Sequence, residues 1–335
     1  MKKTVALILS ASAALMLAGC NNAKSAAKSG ASSAQNTAET ENTGAAGVPF
    51  ITLSNGVRMP QFGLGTYAQP SDEVCYESTL TALRDGYRHI DTAHAYYDER
   101  GVGRAVRQFC EESGVARSEI WITSKLWPSE YGEGITAEAI DKMLSRLQID
   151  YIDLLYVHQP AGDFVGAWKE MERAYEAGKI RALGISNFDV DDEPFDMIME
   201  AATVKPHVAQ IEMHPYAQRK AFREKAAAHG ITIEGWFPLG HGDSGLLSDS
   251  TIRAIGEAHG KTNAQIILRW HIQEGFSTIP GSKNPDHIKE NISIFDFSLN
   301  DEEMAAMRAL DGERRFWNAT YEQTKQFVNT LRVDD

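Results

Sequence analysis

The sequence predicts an α/β chain: a (β/α)8 TIM barrel preceded by an N-terminal β-hairpin. Three observations carry that prediction. Eight short apolar runs alternate with longer helical patterns from about residue 50 onward. The stretch that holds them is close to the ~250 residues typical of one such barrel. Asn55-Gly56, set between two short apolar runs, is a strong hairpin signal just before the first strand.

The chain begins with segments that do not belong to the barrel. Lys2 and Lys3 precede an apolar run over 5–17 that is too short to cross a bilayer comfortably and reads as a secretory signal. Its end, Leu17-Ala18-Gly19-Cys20, resembles the bacterial lipobox, in which the Cys is lipidated; an ordinary cleaved signal with an incidental Cys is the alternative. Residues 21–47 contain Ala, Ser, Asn, Thr, Gly, Lys and Glu with no large apolar side chain. Such a stretch cannot bury enough surface to offset the cost of ordering it. The expected organisation is a signal peptide at 1–19, a lipidated Cys20 and tether over 20–48, and the barrel over 49–335. The expected location is the cell membrane, on its extracytoplasmic side, with a lipid anchor as the only membrane contact.

The strands are expected at 62–65, 88–92, 121–125, 152–158, 182–187, 208–213, 231–238 and 276–280. Ser71-Asp72 caps a helix that stops at Gly86, Thr136 caps one through Leu147, and Gly178 and Gly230 end two more. Eight strands with intervening helices favour closure over an open sheet. An open doubly wound sheet would want a phosphate turn after the first strand, and Gly63-Leu64-Gly65-Thr66-Tyr67-Ala68 lacks the third glycine of that fingerprint.

The formal charge of −13 and the lack of a basic cluster argue against nucleic-acid binding. Cys75 and Cys110 fall on helical segments and read as packing residues. With no C-x-x-C or H-E-x-x-H and ten scattered His, no metal site is expected.

Reactive residue types gather at the C-terminal ends of the expected strands. Asp91 ends the second, Lys125 the third, His158 the fourth and Asn187 the fifth; Gln210 lies on the sixth, Trp236 late in the seventh, and Ser282 follows the eighth. In a barrel these ends converge on one face, where the active site lies. Each has a structural reading alone: Asp91 as a cap, Lys125 as a snorkelling residue, His158 as a core imidazole. An Asp, a Lys and a His at three successive ends are hard to explain as packing.

Ile90-Asp91-Thr92-Ala93-His94-Ala95-Tyr96, followed by Glu99 and Gly101-Val102-Gly103, resembles the D-T-A-x-x-Y signature of the aldo-keto reductases. Ile122-Thr123-Ser124-Lys125, Leu154-Leu155-Tyr156-Val157-His158, Gly184-Ile185-Ser186-Asn187, Gln210-Ile211-Glu212 with His214-Pro215, and Ile279-Pro280-Gly281-Ser282 continue the likeness, over residues 50–311. The resemblance implies NADPH or NADH as hydride source and a small carbonyl substrate: an aldehyde, a ketone or a keto-sugar acid. It implies Tyr96 as proton donor, Lys125 as the ammonium beside it, Asp91 as the partner of Lys125, and His158 on the carbonyl oxygen. A free Tyr, at a pKa near ~10, is a poor acid–base group at neutral pH, and a nearby ammonium is expected to lower that value.

The same resemblance implies cofactor contacts from Thr66, Ser186, Asn187, Gln210, Trp236, Leu239, Ser282, Lys283, His287 and Asn291. Trp236 stands where the family usually has a stacking Tyr, and Ala209 where it has Asn. His287 stands where NADP-preferring members carry an Arg, so a bidentate guanidinium for a 2′-phosphate is missing and dual use of NADH is expected. Tyr67 and Trp127 are expected to wall the substrate site, with Trp121, Phe316 and Trp317 as further candidates. The chain is expected to be a monomer. Two other readings are a non-catalytic, redox-sensing lipoprotein that binds the cofactor, and a glycoside hydrolase. The latter needs two carboxylates about 5–10 Å apart, and Asp91 with Glu212 is the pair to test.

Overall fold

The computed structural model of the chain describes residues 44–333. The signal segment, Cys20 and most of the expected tether lie outside them. The last residue of that tether, Val48, is buried in the barrel's core.

The hairpin forms as Asn55-Gly56 predicts. Strand β1 (Phe50–Thr52) pairs antiparallel with β2 (Arg58–Pro60), Ile51 lying opposite Met59. Gly56 takes the left-handed conformation at φ +82°, and the Asn55 side chain accepts from Val57 N at 3.2 Å, which tightens the turn. Leu53 and Met59 then pack against Trp121, Leu154, Tyr156, Ala182 and Val208, closing the bottom of the barrel.

The barrel strands are β3 (Leu64–Gly65), β4 (His89–Asp91), β5 (Trp121–Leu126), β6 (Leu154–Val157), β7 (Leu183–Ser186), β8 (Val208–Glu212), β9 (Thr232–Trp236) and β10 (Ser277–Thr278). They pair in parallel and in chain order, and strands covered on both faces explain the near-continuous apolar runs. The circle closes between the ends of the sheet. Phe62 bridges Thr278, Gly63 N donates to Thr278 O at 3.0 Å, and Thr278 N donates to Gln61 O at 3.1 Å. Glycine is needed at this seam. A Cβ on Gly65 would stand 2.7 Å from Ile279 O, and one on Gly281 would stand 2.9 Å from Gly65 O.

Helices α1 (Asp72–Arg84), α2 (Glu99–Ser113), α3 (Ile135–Leu147), α4 (Phe164–Glu176), α5 (Asp192–Ala201) and α6 (Lys220–Ala227) follow the first six strands. After β9 come α7 (Ser244–Leu247), α8 (Ser250–His259) and α9 (Asn263–Gln273); after β10 come α10 (Pro285–Ile292), α11 (Asp301–Arg308) and α12 (Tyr321–Thr330). Ser71 caps α1 by accepting from Val74 N at 3.3 Å, as expected. Thr136 does not cap α3. Gly134 holds that position at φ +76°, while the hydroxyl of Thr136, the second residue of the helix, donates to Glu130 O at 2.7 Å. The extra element, α12, belongs to a C-terminal segment that returns over the top of the barrel, the end that carries the reactive side chains.

Candidate active site

Four side chains converge at the top of the barrel from consecutive units. Lys125, near the end of β5, is fully buried, and its Nζ donates to Asp91 Oδ1 at 2.5 Å and to Thr92 O at 3.0 Å. Tyr96 ends a 3-10 turn, His94–Tyr96, that follows β4 directly, and Tyr97 at φ +59° stops that turn. The turn brings the Tyr96 ring to 5.0 Å from Lys125 Nζ. His158, the first residue past β6, lies 5.7 Å from the Tyr96 ring, edge to face. The four sequence-predicted residues therefore form one cluster with a phenol, an ammonium and an imidazole around a common space.

Burial governs the electrostatics of this cluster. It pushes the Asp91 carboxyl above its usual range, against the pull of the Lys125 charge. It drives His158 well below 6.5, and the Lys125 charge adds to that, so the imidazole is neutral and can offer one N–H. The Tyr96 phenol is held well above 10 by burial first, then by Asp91, Tyr67 and Asp98. This departs from the lowered value expected from Lys125. The ammonium is tied to Asp91 at 2.5 Å, so its charge is partly offset there and does not outweigh the desolvation of the phenol.

The side of the site assigned to a cofactor is built more tightly than spacing suggested. Asn187, in the left-handed region at φ +67°, donates to His158 O at 3.1 Å and to Ser186 Oγ at 3.2 Å, and accepts from Trp236 Nε1 at 3.0 Å. Gln210 turns its amide nitrogen into the barrel, donating to Asp91 Oδ2 at 2.8 Å and Glu234 Oε1 at 2.7 Å. Thr66 is buried, and Leu239 and Trp236 are partly buried beside the loop after β9. Ser282, Lys283 and His287 stand on the rim at the start of α10, with Lys283 and His287 exposed and Asn291 buried one turn further on.

On the substrate side, Tyr67 stands 36% exposed with its ring 5.2 Å from that of Tyr96. Trp127 meets His158 edge to face at 5.1 Å, but the C-terminal segment covers it: Nε1 donates to Leu331 O at 2.9 Å, and Val328 packs on it. Trp121 lies elsewhere. It starts β5 and belongs to the apolar cluster at the bottom, against the hairpin. Phe316, tilted against His214 at 4.7 Å, and Trp317, edge to face with Phe327 at 6.2 Å, both lie within the returning segment. Glu212 anchors that segment, accepting from Phe316 N at 2.5 Å, Trp317 N at 3.0 Å and His214 Nε2 at 3.1 Å. A carboxylate so occupied is unavailable as an acid or nucleophile, which removes the Asp91–Glu212 pair considered for glycoside hydrolysis.

Sequence reasoning missed three contributors. Glu130 ties the site's wall together, accepting from Trp127 N at 2.8 Å and meeting His94 Nδ1 at 2.7 Å. Phe237, at φ +51°, places its ring 5.9 Å from Tyr67. Glu234 lies inside the barrel next to Gln210. Only Glu234 left a signal, as a lone acid within an apolar strand.

Residues 61–312 match the model of the Aldo/keto reductase family. A glyoxal reductase of Bacillus subtilis (strain 168) is 42% identical over 266 residues, covering 79% of this chain and 94% of that protein. A 9,11-endoperoxide prostaglandin H2 reductase of Trypanosoma cruzi is 40% identical over 269 residues, covering 79% of this chain and 92% of that one. The crystal structure of a Bombyx mori aldo-keto reductase in complex with NADP superposes with a TM-score of 0.74 at 30% identity, covering 81% of this chain and 95% of that one. With the Lys125–Asp91 pair, Tyr96 and His158 gathered at the barrel's top, this chain belongs to the aldo/keto reductase family and is an NAD(P)H-dependent oxidoreductase acting on carbonyl and alcohol groups.

Proposed function

We propose that the chain reduces small aldehydes, ketones or keto-sugar acids to alcohols, with Tyr96 as the proton donor. The observation that carries this reading is the meeting of the Tyr96 ring, Lys125 Nζ and the neutral His158 around one space. A bound nicotinamide supplies the hydride. The raised pKa keeps the phenol of Tyr96 protonated across physiological pH, so the acid is loaded before the carbonyl arrives. As the carbonyl oxygen gains negative charge it becomes a stronger base than phenolate, and the proton passes to it from Tyr96 Oη. His158 orients that oxygen through its N–H, and Lys125, held by Asp91, stabilises the phenolate left behind.

The residues present fit a nicotinamide nucleotide. The Ser186 hydroxyl accepts from Asn187, which leaves its hydrogen for a carboxamide oxygen, and Gln210 keeps Oε1 outside its two donated bonds. Trp236 offers the ring to stack. Thr66, buried just past β3, fits a role in contact with the nucleotide, with Leu239 and Asn291 as neighbouring contacts. For a 2′-phosphate the rim offers Ser282, Lys283 and His287 but no guanidinium, so we propose that NADH is used beside NADPH. We further propose that Cys20 carries a lipid that holds the enzyme on the extracytoplasmic face of a membrane. Cys20→Ser would then move the protein from the membrane to the soluble fraction on cell fractionation.

Quenching of Trp fluorescence, titrated with NADPH and with NADH, tests the cofactor, and methylglyoxal reduction by Tyr96→Phe tests the chemistry. Binding with turnover reduced by a factor of about 10²–10⁴ supports the reading. Binding with undiminished turnover assigns the proton to another group, binding without turnover in the wild type leaves the sensing role, and failure to bind either nucleotide overturns the reductase reading.

A further inference from the structure

The barrel interior below Lys125 holds a second carboxylate that the proposed chemistry does not use. Glu234, at the middle of β9, is fully buried and in register with Gln210 on β8 and Ser277 on β10, so the three side chains point into the barrel together. Three donors converge on it. Gln210 Nε2 reaches Oε1 at 2.7 Å, Tyr156 OH reaches Oε1 at 3.0 Å, and Ser277 Oγ reaches Oε2 at 2.8 Å. Burial raises the pKa of Glu234, and the three donors with the Lys125 charge pull it back, a set that matches a carboxylate, which only accepts. The other hydrogen of Gln210 Nε2 goes to Asp91 Oδ2 at 2.8 Å, while Asp91 Oδ1 takes Lys125. One amide thus bridges the two acids.

His89 faces Glu234 from β4, at 3.7 Å, but it is not a counter-ion. Its Nδ1 lies 3.2 Å from Pro60 O, which can only accept, so the ring proton sits there. Nε2 then accepts from the Thr123 hydroxyl at 3.1 Å, and burial pushes the ring's pKa down to about 4. Of the groups around Glu234, namely Tyr156, Gln210, Ser277, His89, Asp91 and Lys125, the cation is Lys125, and it serves two carboxylates.

We propose that Glu234 is a positioning residue for carbonyl reduction: as a carboxylate it grips Gln210, Gln210 fixes Asp91 on Lys125, and its charge holds the Tyr96 phenol protonated to higher pH. The inference rests on Tyr96 as proton donor. A negative charge buried in the same interior acts through a medium of low dielectric, so removing it eases the loss of the Tyr96 proton.

Glu234→Gln keeps the shape and removes the charge. The measurement is the pH profile of kcat and KM for methylglyoxal reduction by the full chain with saturating NADPH. The alkaline limb is expected to move down by about one pH unit, with kcat lowered about ten-fold and KM unchanged. A variant with the wild-type profile overturns the proposal. An inactive wild type overturns the reductase reading instead, so the two failures are distinguishable. Should Glu234→Gln fail to fold, Glu234→Thr removes the same charge and leaves a smaller polar side chain. A shift of the alkaline limb in the same direction supports the proposal, and an unshifted profile overturns it.

Discussion

The two ends of the barrel interior are filled in opposite ways. At the bottom, Leu53 and Met59 from the hairpin meet Trp121, Leu154 and Val208, all apolar and all buried. Further up the same interior, Lys125, Asp91, Gln210 and Glu234 are equally buried but charged or polar. The bottom is held by contact and exclusion of water, which tolerate no gap but need no partner. The top is held by matched donors and acceptors, in which every group depends on another. Damage should therefore remain local at the bottom and spread at the top.

Lys125→Met sharpens that contrast with the largest expected effect. It leaves Asp91 and Glu234 buried without a cation, and breaking a buried pair costs about 3–5 kcal/mol. Turnover should fall by a factor of about 10³ as well, since the phenol loses the ammonium beside it. Chemical denaturation with methylglyoxal reduction reads both. Wild-type stability with lost turnover would mean that the charges at the top do not hold the structure there.

Met59→Ala is the matching change at the bottom. The side chain is fully buried, so a cavity should cost about 2–5 kcal/mol. The kcat/KM per folded molecule should remain that of the wild type, because no hydrogen bond links Met59 to the site. A fall in kcat/KM would break the comparison by coupling the plug to the chemistry.

The sequence made the eight strands and the residues at their ends legible for one physical reason. Strands buried on both faces are apolar, so an Asp, Lys or His at their ends stands out. Partners were less visible. Trp121 and Lys125 lie on one face of β5, yet four residues of strand separate them by about 13 Å, which puts the indole at the bottom and the ammonium at the top. Gln210 could be placed near the site, but spacing does not reveal that its amide turns inward to two acids. The Tyr96 pKa failed for a related reason: the effect of Lys125 depends on how closely Asp91 neutralises it, and that distance is tertiary. Glu212 as the anchor of the returning segment joins residues about a hundred positions apart, which no local pattern encodes.

A smaller effect comes from a buried acid beside the top that has hydrogen-bond donors but, among the described residues, no ion-pair partner. Asp98 follows the Tyr96 turn and is 1% exposed, with Thr92 Oγ1 donating to it at 2.5 Å. Burial, with the Glu99 charge, outweighs the downward pull of hydrogen bonds with Thr92, Thr66 and Cys75 and raises its pKa to about 7. The folded state therefore binds this proton more tightly than the unfolded chain, whose Asp titrates near ~4. The stability it contributes is fully present below about pH 4 and is lost as pH rises through about 7, because the unfolded chain then gives up the proton first. Asp98→Asn removes the titration while keeping an oxygen for Thr92. Thermal unfolding across pH 4–8 should give a flatter profile for the variant, with stability at pH 8 raised by about 1–3 kcal/mol. An unchanged slope would mean that Asp98 is matched as well as Asp91 is, and the contrast would then lie between the two ends alone and not within the top itself.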